Sequence, residues 1–236
     1  MSHIYLIRHG QASFDAEDYD QLSPLGEEQS RLLGDWMRHS GQQLDQVVIG
    51  VNRRHRQTAQ QCLQHYRKAP NDFSENDWTL DRGFNEFDHE EVILKYCTEF
   101  SDFSAFKQFL NKQTNPHRTL QTMFSAAMQR WTGGEHDDYR ESWVEFQTRC
   151  RLALSGLIAS AGEQENIWIF TSGGTISVLL QDLLGIPNQR IFDLNASLIN
   201  TGVSKLRVSS DRLRLHYLNN PAHLEIHQRS DLISYR

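Results

Sequence analysis

Three short polar segments of the sequence carry side chains that could do chemistry. They are Arg8-His9-Gly10-Gln11, Asn52-Arg53-Arg54-His55 and Ser172-Gly173-Gly174. Arginine binds phosphate through its planar guanidinium group, and helix N-termini with exposed backbone N–H groups favour anions. An uncharged histidine beside such cations can attack phosphorus and form a phosphohistidine. The three segments together indicate a site for a phosphoryl group.

A carboxyl group that could donate a proton to a leaving alkoxide is expected in the sequence FNEFDHEEV, at residues 84–92. The segment offers four candidates, Glu86, Asp88, Glu90 and Glu91. Composition alone does not choose among them. Asp88 and His89 do not predict a metal site, because two adjacent residues seldom bind one ion together, and no other ligand cluster is visible in the sequence.

Each of the three polar segments follows a predicted buried strand and leads into a predicted helix. The strands are expected at residues 4–7, 44–51 and 166–175, where apolar residues run without alternation. Loops that follow parallel strands meet at one edge of the sheet, which would gather the three segments in one place. The order of elements predicts an α/β fold, a three-layer α/β/α sandwich with a mostly parallel sheet.

The remaining pattern predicts one domain over residues 1–236, with a helical insertion at about residues 91–132. Within the insertion, Leu120, Phe124, Ala127 and Trp131 recur at helical spacing. Further helices are expected at 26–37, after Asn52, at 141–161 and at 176–184, with a short strand near 78–80. Two alternating segments, 197–208 and 212–219, predict a hairpin at the sheet edge. We interpret the aromatic residues of the insertion as core, with the alternative that some line a pocket.

Composition excludes several classes of function. With 236 residues, a net charge of −6 and a pI near 6.0, the chain does not resemble a nucleic-acid or anionic-membrane binder. Cys62, Cys97 and Cys150 lack CxxC spacing, so reduced thiols and a cytoplasmic location are expected, with no zinc site. No apolar run reaches membrane-spanning length, and no apolar leader is visible.

Four motifs in order, LIRHGQ, RHRQTA, FNE and TSGGT, resemble those of the histidine phosphatase superfamily, also called the phosphoglycerate mutase-like family. The sequence LSPLGEEQSRLLG is similar to the first helix of that family, and ESWVEFQTRC to the segment before its last long helix. The resemblance covers roughly the whole chain outside the insertion. It implies a metal-independent phosphatase that needs no cofactor and acts through a phosphohistidine.

The resemblance also implies roles for individual residues. His9 would be the nucleophile and Glu86 the proton donor. The residues that would bind the phosphate are Arg8, Arg54, Ser172 and Gly173. Arg54 matches the second arginine of the family by its spacing to the Gln-Thr-Ala sequence. Arg53 and Arg56 do not match, and we interpret them as a solvated helix face.

Two departures from the family pattern weaken the expected attraction for a phosphate dianion. Ser172 stands where the family normally has a second histidine, and Asp15 where it often has an asparagine. Asp15 lies in an acidic stretch with Glu17, Asp18 and Asp20. His55 and His89 are candidates to replace the missing histidine, although we interpret each as an ordinary surface or packing residue.

The sequence therefore predicts a phosphomonoester hydrolase, slow rather than inactive, acting on a small phosphorylated metabolite or a phosphoprotein. Nucleic-acid and membrane partners are not expected. One alternative is a non-catalytic phosphate-binding module, favoured by Ser172. A phosphoglycerate mutase-type transferase is a weaker alternative, because the insertion offers only the sequence NPHRT and scattered lysines. The insertion is expected to form one wall of the pocket. The sequence predicts neither the particular substrate nor an oligomeric state.

Overall fold

A computed structural model describes residues 2–13, 20–67, 72–162, 164–209 and 212–235. In this part of the chain the strands form one six-stranded sheet in the order β3-β2-β4-β1-β5-β6. The strands are β1 (Ser2–Arg8), β2 (Gln46–Ile49), β3 (Thr79–Leu80), β4 (Asn166–Thr171), β5 (Val203–Ser209) and β6 (Arg212–Asn220). The pairs β1/β4, β2/β4 and β2/β3 are parallel, whereas β5 is antiparallel to both β1 and β6. The prediction of an α/β fold with a mostly parallel sheet is confirmed.

The central strands are buried on both faces, because helices cover the sheet on each side. In β1, Ile4 and Leu6 belong to one core cluster, whereas Tyr5 and Ile7 belong to the other. The helices of the described residues are α1 (Pro24–His39), α2 (Arg53–Tyr66), α3 (His89–Tyr96), α4 (Phe103–Asn111), α5 (Pro116–Gly133), α6 (Trp143–Ser160), α7 (Gly173–Leu184), α8 (Ile191–Ser197) and α9 (Ala222–Glu225). Residues of α1 and α2 pack on the face of Tyr5, and residues of α6 and α7 on the opposite face. The result is the expected three-layer arrangement.

Local signals in the sequence set several helix boundaries. Ser142 and Glu145 form a capping box that starts α6, in which each side chain bonds to the backbone N–H of the other residue. Gly185, with φ +62°, ends α7 in the left-handed conformation that glycine adopts without strain. The predicted strand at 44–51 is longer than β2, because residues 50–52 already form the turn into α2. The sequence pattern did not predict α8 or α9.

Helices α3, α4 and α5 occupy the region predicted as an insertion. They share a separate apolar cluster that contains Ile93, Cys97, Phe106 and Leu110. The inner side of α5 joins the main core through residues such as Trp131. These contacts agree with the core interpretation of the aromatic residues. The single domain with an insertion at 91–132 stays a prediction. No helix in the described ranges is both long and apolar enough to span a bilayer.

Candidate active site

The polar segments meet at the carboxyl edge of the parallel strands. Arg8 ends β1 opposite Thr171 at the end of β4, so His9 lies beside the start of α7. A cavity of about 820 Å³ opens at this edge. Its wall includes four of the residues predicted for the site, Arg8, His9, Arg54 and Glu86. Ser172 and Gly173 lie behind this wall and do not line the cavity.

His9 is held in one orientation and kept uncharged. The distance from His9 Nδ1 to the carbonyl oxygen of Gly10 is 2.7 Å. A carbonyl oxygen can only accept, so Nδ1 carries the proton and donates it, which leaves the lone pair on Nε2. Burial, followed by the nearby Arg54 and Arg8 guanidinium groups, holds the pKa of His9 well below its usual 6.5. An uncharged imidazole with a lone pair at the cavity can act as a nucleophile.

The guanidinium group of Arg8 is fixed by two backbone carbonyls. Nη1 donates to the carbonyl oxygen of Leu198, and Nη2 donates to that of Tyr235 at 3.1 Å. Both acceptors lie far from Arg8 in the sequence. Neither acceptor could be predicted from the sequence, because every residue carries a backbone carbonyl and residue type gives no signal for this role.

Arg54 lies in the first turn of α2 and forms a partly buried ion pair with Asp20. The distance from Arg54 Nη1 to Asp20 Oδ1 is 2.8 Å. The same carboxylate accepts a hydrogen bond from the Arg53 backbone N–H at 2.8 Å. Asn52 occupies the N-cap position as predicted, but its side chain makes no capping bond. Asp20 therefore caps α2 in its place. The other acidic residues of that stretch, Asp15, Glu17 and Asp18, lie outside the described residues.

Glu86 is positioned by backbone donors at the entrance to α7. Its carboxylate accepts hydrogen bonds from Gly174 N at 3.1 Å and from Phe87 N at 3.2 Å. Burial raises the pKa of Glu86 above its ordinary 4.5, against the opposing effect of Arg54 and these hydrogen bonds. A carboxyl group with a raised pKa retains a proton that it can donate.

The other three carboxylates of the segment do not line the cavity. Asp88 caps α3 by accepting from Glu91 N, and it also pairs with Arg140. Glu91 pairs with Arg140 as well, at 3.1 Å. Of the four candidates left open by composition, the geometry brings only Glu86 to the cavity wall.

The two histidines considered as replacements lie in different environments. His55 is fully buried, and its Nε2 is 2.6 Å from Ser172 Oγ, so of the two interpretations, surface or packing residue, the structure agrees with the second. His89 lines the cavity, with its ring 5.8 Å from that of Phe103. Burial, followed by Arg54, lowers the pKa of His89 to about 4. Arg56 pairs with Glu75 on an exposed helix face, as expected.

The rest of the cavity wall comes mainly from α4, α5 and α8. Apolar and aromatic side chains dominate it, including Phe103, Leu120, Phe124, Met128 and Phe192. Polar side chains are interspersed among them, among others Lys107, His117 and Gln121. The expectation that the predicted insertion lines the pocket is confirmed. The contribution of α8 was missed, because its seven residues carry no clear helical periodicity.

Comparison with known proteins agrees with this geometry. The sequence model of the histidine phosphatase superfamily (branch 1) matches residues 4–100 and 106–221 of the chain. No curated protein shows significant sequence similarity to it.

Several solved structures share the fold. Phosphoserine phosphatase from Entamoeba histolytica, in complex with phosphoserine, is 16% identical with a TM-score of 0.63, over 95% of this chain and 100% of that one. A mycobacterial glucosyl-3-phosphoglycerate phosphatase is 20% identical with a TM-score of 0.61, over 92% of this chain and 98% of that one. YhfR from Bacillus stearothermophilus is 16% identical with a TM-score of 0.66, over 94% and 99% of the two chains.

Proposed function

Because the chain belongs to the histidine phosphatase superfamily, we propose that it hydrolyses phosphomonoesters through a phosphohistidine formed on His9. The observation that carries this proposal is the uncharged His9, with its lone pair on Nε2, at a cavity wall that also contains Arg8 and Arg54. A binding site for phosphate needs the two cations. It does not need a desolvated nucleophile beside a carboxyl group of raised pKa.

In the first step, His9 Nε2 attacks phosphorus as the ester P–O bond breaks. Glu86 gives its proton to the departing alkoxide, so the alcohol leaves uncharged. Arg8 and Arg54 stabilise the charge that builds up on the other phosphoryl oxygens. In the second step, the Glu86 carboxylate takes a proton from water, the water oxygen attacks phosphorus, and the N–P bond breaks. Inorganic phosphate leaves, and both residues return to their starting states. No step in this sequence requires a metal ion.

The proposed substrate is a small phosphorylated molecule whose organic part contacts α4, α5 and α8. A cavity of about 820 Å³ lies within the range that encloses small ligands. Its apolar lining favours a substrate with carbon surface to bury. The related folds include phosphatases that act on small molecules, phosphoserine and glucosyl-3-phosphoglycerate by name. These observations favour a metabolite over a phosphoprotein.

The test is turnover of 4-nitrophenyl phosphate by the wild-type protein and by His9→Ala, with a rapid acid quench or base quench during turnover. We expect wild-type hydrolysis, loss of activity in His9→Ala by at least about a thousandfold, and trapped phosphate in an acid-labile, base-stable linkage. Label on a serine, or label that persists in His9→Ala, would contradict the assignment. A wild-type protein that binds phosphate without turnover would support the non-catalytic alternative instead.

A further inference from the structure

A buried polar pair lies directly behind the cavity wall. His55 and Ser172 are both fully buried, and His55 Nε2 lies 2.6 Å from Ser172 Oγ although the residues are 117 positions apart in the sequence. Neither side chain lines the cavity. Burying an imidazole and a hydroxyl destabilises a protein unless they are hydrogen-bonded, so their pairing is a specific feature of this core.

The Ser172 hydroxyl is not used in the way its position suggests. Ser172 is the N-cap residue of α7, where a serine side chain usually accepts a hydrogen bond from the first turn. Here the side chain makes no capping bond, and the first-turn N–H of Gly174 donates to Glu86 instead. The hydroxyl is directed to His55.

The backbone leaves space for the imidazole at Gly50, which follows β2. A Cβ atom at this position would overlap with Nδ1 of His55, and it would lie 2.6 Å from the carbonyl oxygen of Phe84. Any larger residue at position 50 would displace the ring. Gly50 and His55 therefore fit together as one arrangement.

The hydrogen bonds around Ser172 run in one direction. Arg54 Nη2 approaches Ser172 Oγ at 3.5 Å, a long contact in which the guanidinium group can only donate. Burial and the Arg54 charge hold the pKa of His55 well below 6.5, so its ring is uncharged. An uncharged imidazole has one N–H and one lone pair. In the tautomer that carries its proton on Nδ1, Nε2 accepts the Ser172 hydroxyl proton. The chain then runs from Arg54 through Ser172 to His55.

We propose that His55 is a positioning residue that acts through Ser172 to fix the guanidinium group of Arg54 at the phosphate site. The proposal rests on the proposed phosphatase function. Asp20 binds Nη1 of Arg54 at 2.8 Å, and Ser172 Oγ lies 3.5 Å from Nη2, so the guanidinium group is contacted from two sides. His55 itself does not reach the cavity, although its ring centroid lies 5.8 Å from that of His9.

The first experiment compares His55→Ala, Ser172→Ala and the double variant, using turnover of 4-nitrophenyl phosphate and calorimetric binding of inorganic phosphate. Each single variant should lower kcat/KM about tenfold and weaken phosphate binding by a similar factor. The double variant should be no worse than either single variant, because both changes break the same chain. His55→Gln, whose side-chain amide can also bond to Ser172, should retain most of the activity.

A second comparison in the Arg54→Ala background separates positioning from a general effect on the fold. There, His55→Ala should change neither turnover nor phosphate binding further, because the group that it positions is gone. The matched control is His65→Ala in the otherwise wild-type protein, because His65 lies on the same helix but outside the site. It should leave turnover of 4-nitrophenyl phosphate and binding of inorganic phosphate as in wild type. Circular dichroism establishes folding of every variant, and Ser172→Ala and His55→Gln carry the test if His55→Ala does not fold.

Two outcomes would overturn the proposal. One is a His55→Ala variant with a lowered melting temperature but wild-type turnover and phosphate binding. The other is that His55→Ala lowers turnover and phosphate binding by the same factor in the Arg54→Ala variant as in the wild-type protein. A wild-type protein that fails to hydrolyse phosphomonoesters would refute the proposed function alone, because calorimetry would still report whether His55 positions Arg54 for phosphate.

Discussion

At the scale of single residues, the proposed reaction depends on opposite pKa shifts of two groups that line the cavity, His9 and Glu86. His9 is kept unprotonated by burial and by two arginines, whereas Glu86 is kept protonated to a higher pH than usual by burial. A nucleophile and an acid of this kind can be in their active states at the same pH. Burial is the first cause of both shifts, because it disfavours the charged form of each group, whereas Arg54 and two backbone hydrogen bonds limit the shift of Glu86.

Replacing Glu86 by glutamine should remove the proton donor without changing the size of the side chain. For an alkyl phosphate, whose alkoxide cannot leave without a proton, we expect kcat/KM to fall by about 10²- to 10⁴-fold. For 4-nitrophenyl phosphate, whose phenolate leaves readily, the loss in the first step should be much smaller. Steady-state kinetics with both substrates measures the difference.

The pH profile provides a second check on Glu86. Donation requires the protonated form, so wild-type kcat/KM for the alkyl phosphate should fall as the pH rises through the raised pKa of Glu86. That limb should be absent in Glu86→Gln. Glu91→Gln is the matched control, because Glu91 lies in the same segment, pairs with Arg140 and does not line the cavity. Equal losses for the two substrates would argue against Glu86 as the acid.

The resemblance to a known family predicted the ionisable residues of the candidate site but not the groups that bind to them. Arg8, His9, Arg54 and Glu86 could be chosen because their spacing resembles a known family, and the structure brings all four to one cavity. The backbone carbonyls that accept hydrogen bonds from Arg8 could not be predicted, because every residue has such a carbonyl whatever its type. The sequence could not decide whether His55 is a surface or a packing residue, because burial of a histidine at a helix start depends on a partner that is distant in the sequence, here Ser172.

At the scale of elements, the strand-turn-helix units position the proposed catalytic groups, whereas α4 and α5 form much of the rest of the cavity wall. The two helices have a cluster of their own, centred on Phe106, and contact the main core mainly through α5. Strong helical periodicity made α5 easy to predict. Short α8 could not be predicted in this way, although Phe192 on it contributes to the cavity.

Phe124 on α5 offers a test of this division. It lines the cavity and packs against both clusters, so Phe124→Ala should remove apolar contact with the organic part of a substrate. We expect kcat/KM for 1-naphthyl phosphate to fall about 5- to 30-fold relative to glycerol phosphate, corresponding to about 1 to 2 kcal/mol of lost contact.

The matched control for this prediction is Phe109→Ala. Phe109 lies on α4 and packs in the same helical region, but it does not line the cavity. Its loss should lower the melting temperature and leave the ratio of the two substrates as in wild type. If both variants change the ratio of kcat/KM for 1-naphthyl phosphate to kcat/KM for glycerol phosphate equally, the change results from destabilised packing of the helices and not from lost contact with Phe124.

At the scale of the whole molecule, several histidines are uncharged in the folded protein. Burial lowers the pKa of His9 and of His55 well below 6.5, that of His89 to about 4 and that of His223 to about 3. Above pH 6.5 these groups are uncharged in both the folded and the unfolded chain, and their contribution to stability is complete. As the pH falls below 6.5, the unfolded chain binds protons that the folded chain excludes, so stability is lost.

We therefore expect the free energy of unfolding to fall between pH 7.5 and pH 5.5, by about 3 kcal/mol or more, since each such group contributes up to about 1.4 kcal/mol per pH unit below 6.5. Glu86 acts in the opposite direction, because its raised pKa makes the folded chain bind a proton more readily than the unfolded chain. The pKa of His3 is lowered like those of the four histidines, and the pKa of Glu90 is raised like that of Glu86, so two carboxyl groups oppose five histidines among the described residues. Urea denaturation at several pH values measures the slope.

Replacing one buried histidine should reduce this pH dependence. His223→Gln can keep a hydrogen bond to Thr201. Below pH 6.5 it should lower by about one the number of protons that the unfolded chain binds in excess of the folded chain. His216→Gln, at an exposed position of β6, is the control and should leave the slope unchanged. A flat stability profile from pH 7.5 to 5.5 in the wild type would contradict the expectation.

The ion pair between Asp20 and Arg54 has a consequence for the end of the catalytic cycle. Nη1 of Arg54 already binds a carboxylate oxygen, so a phosphate that takes the same N–H displaces that oxygen. Binding is then an exchange of one anion for another, and its net free energy is the difference between two ion pairs. Asp20 is about one-third exposed and can turn to water while displaced. When the ester bond has been cleaved, the returning carboxylate competes with inorganic phosphate for the same donor. In the proposed reaction, this competition from Asp20 would weaken binding of the substrate and speed release of inorganic phosphate.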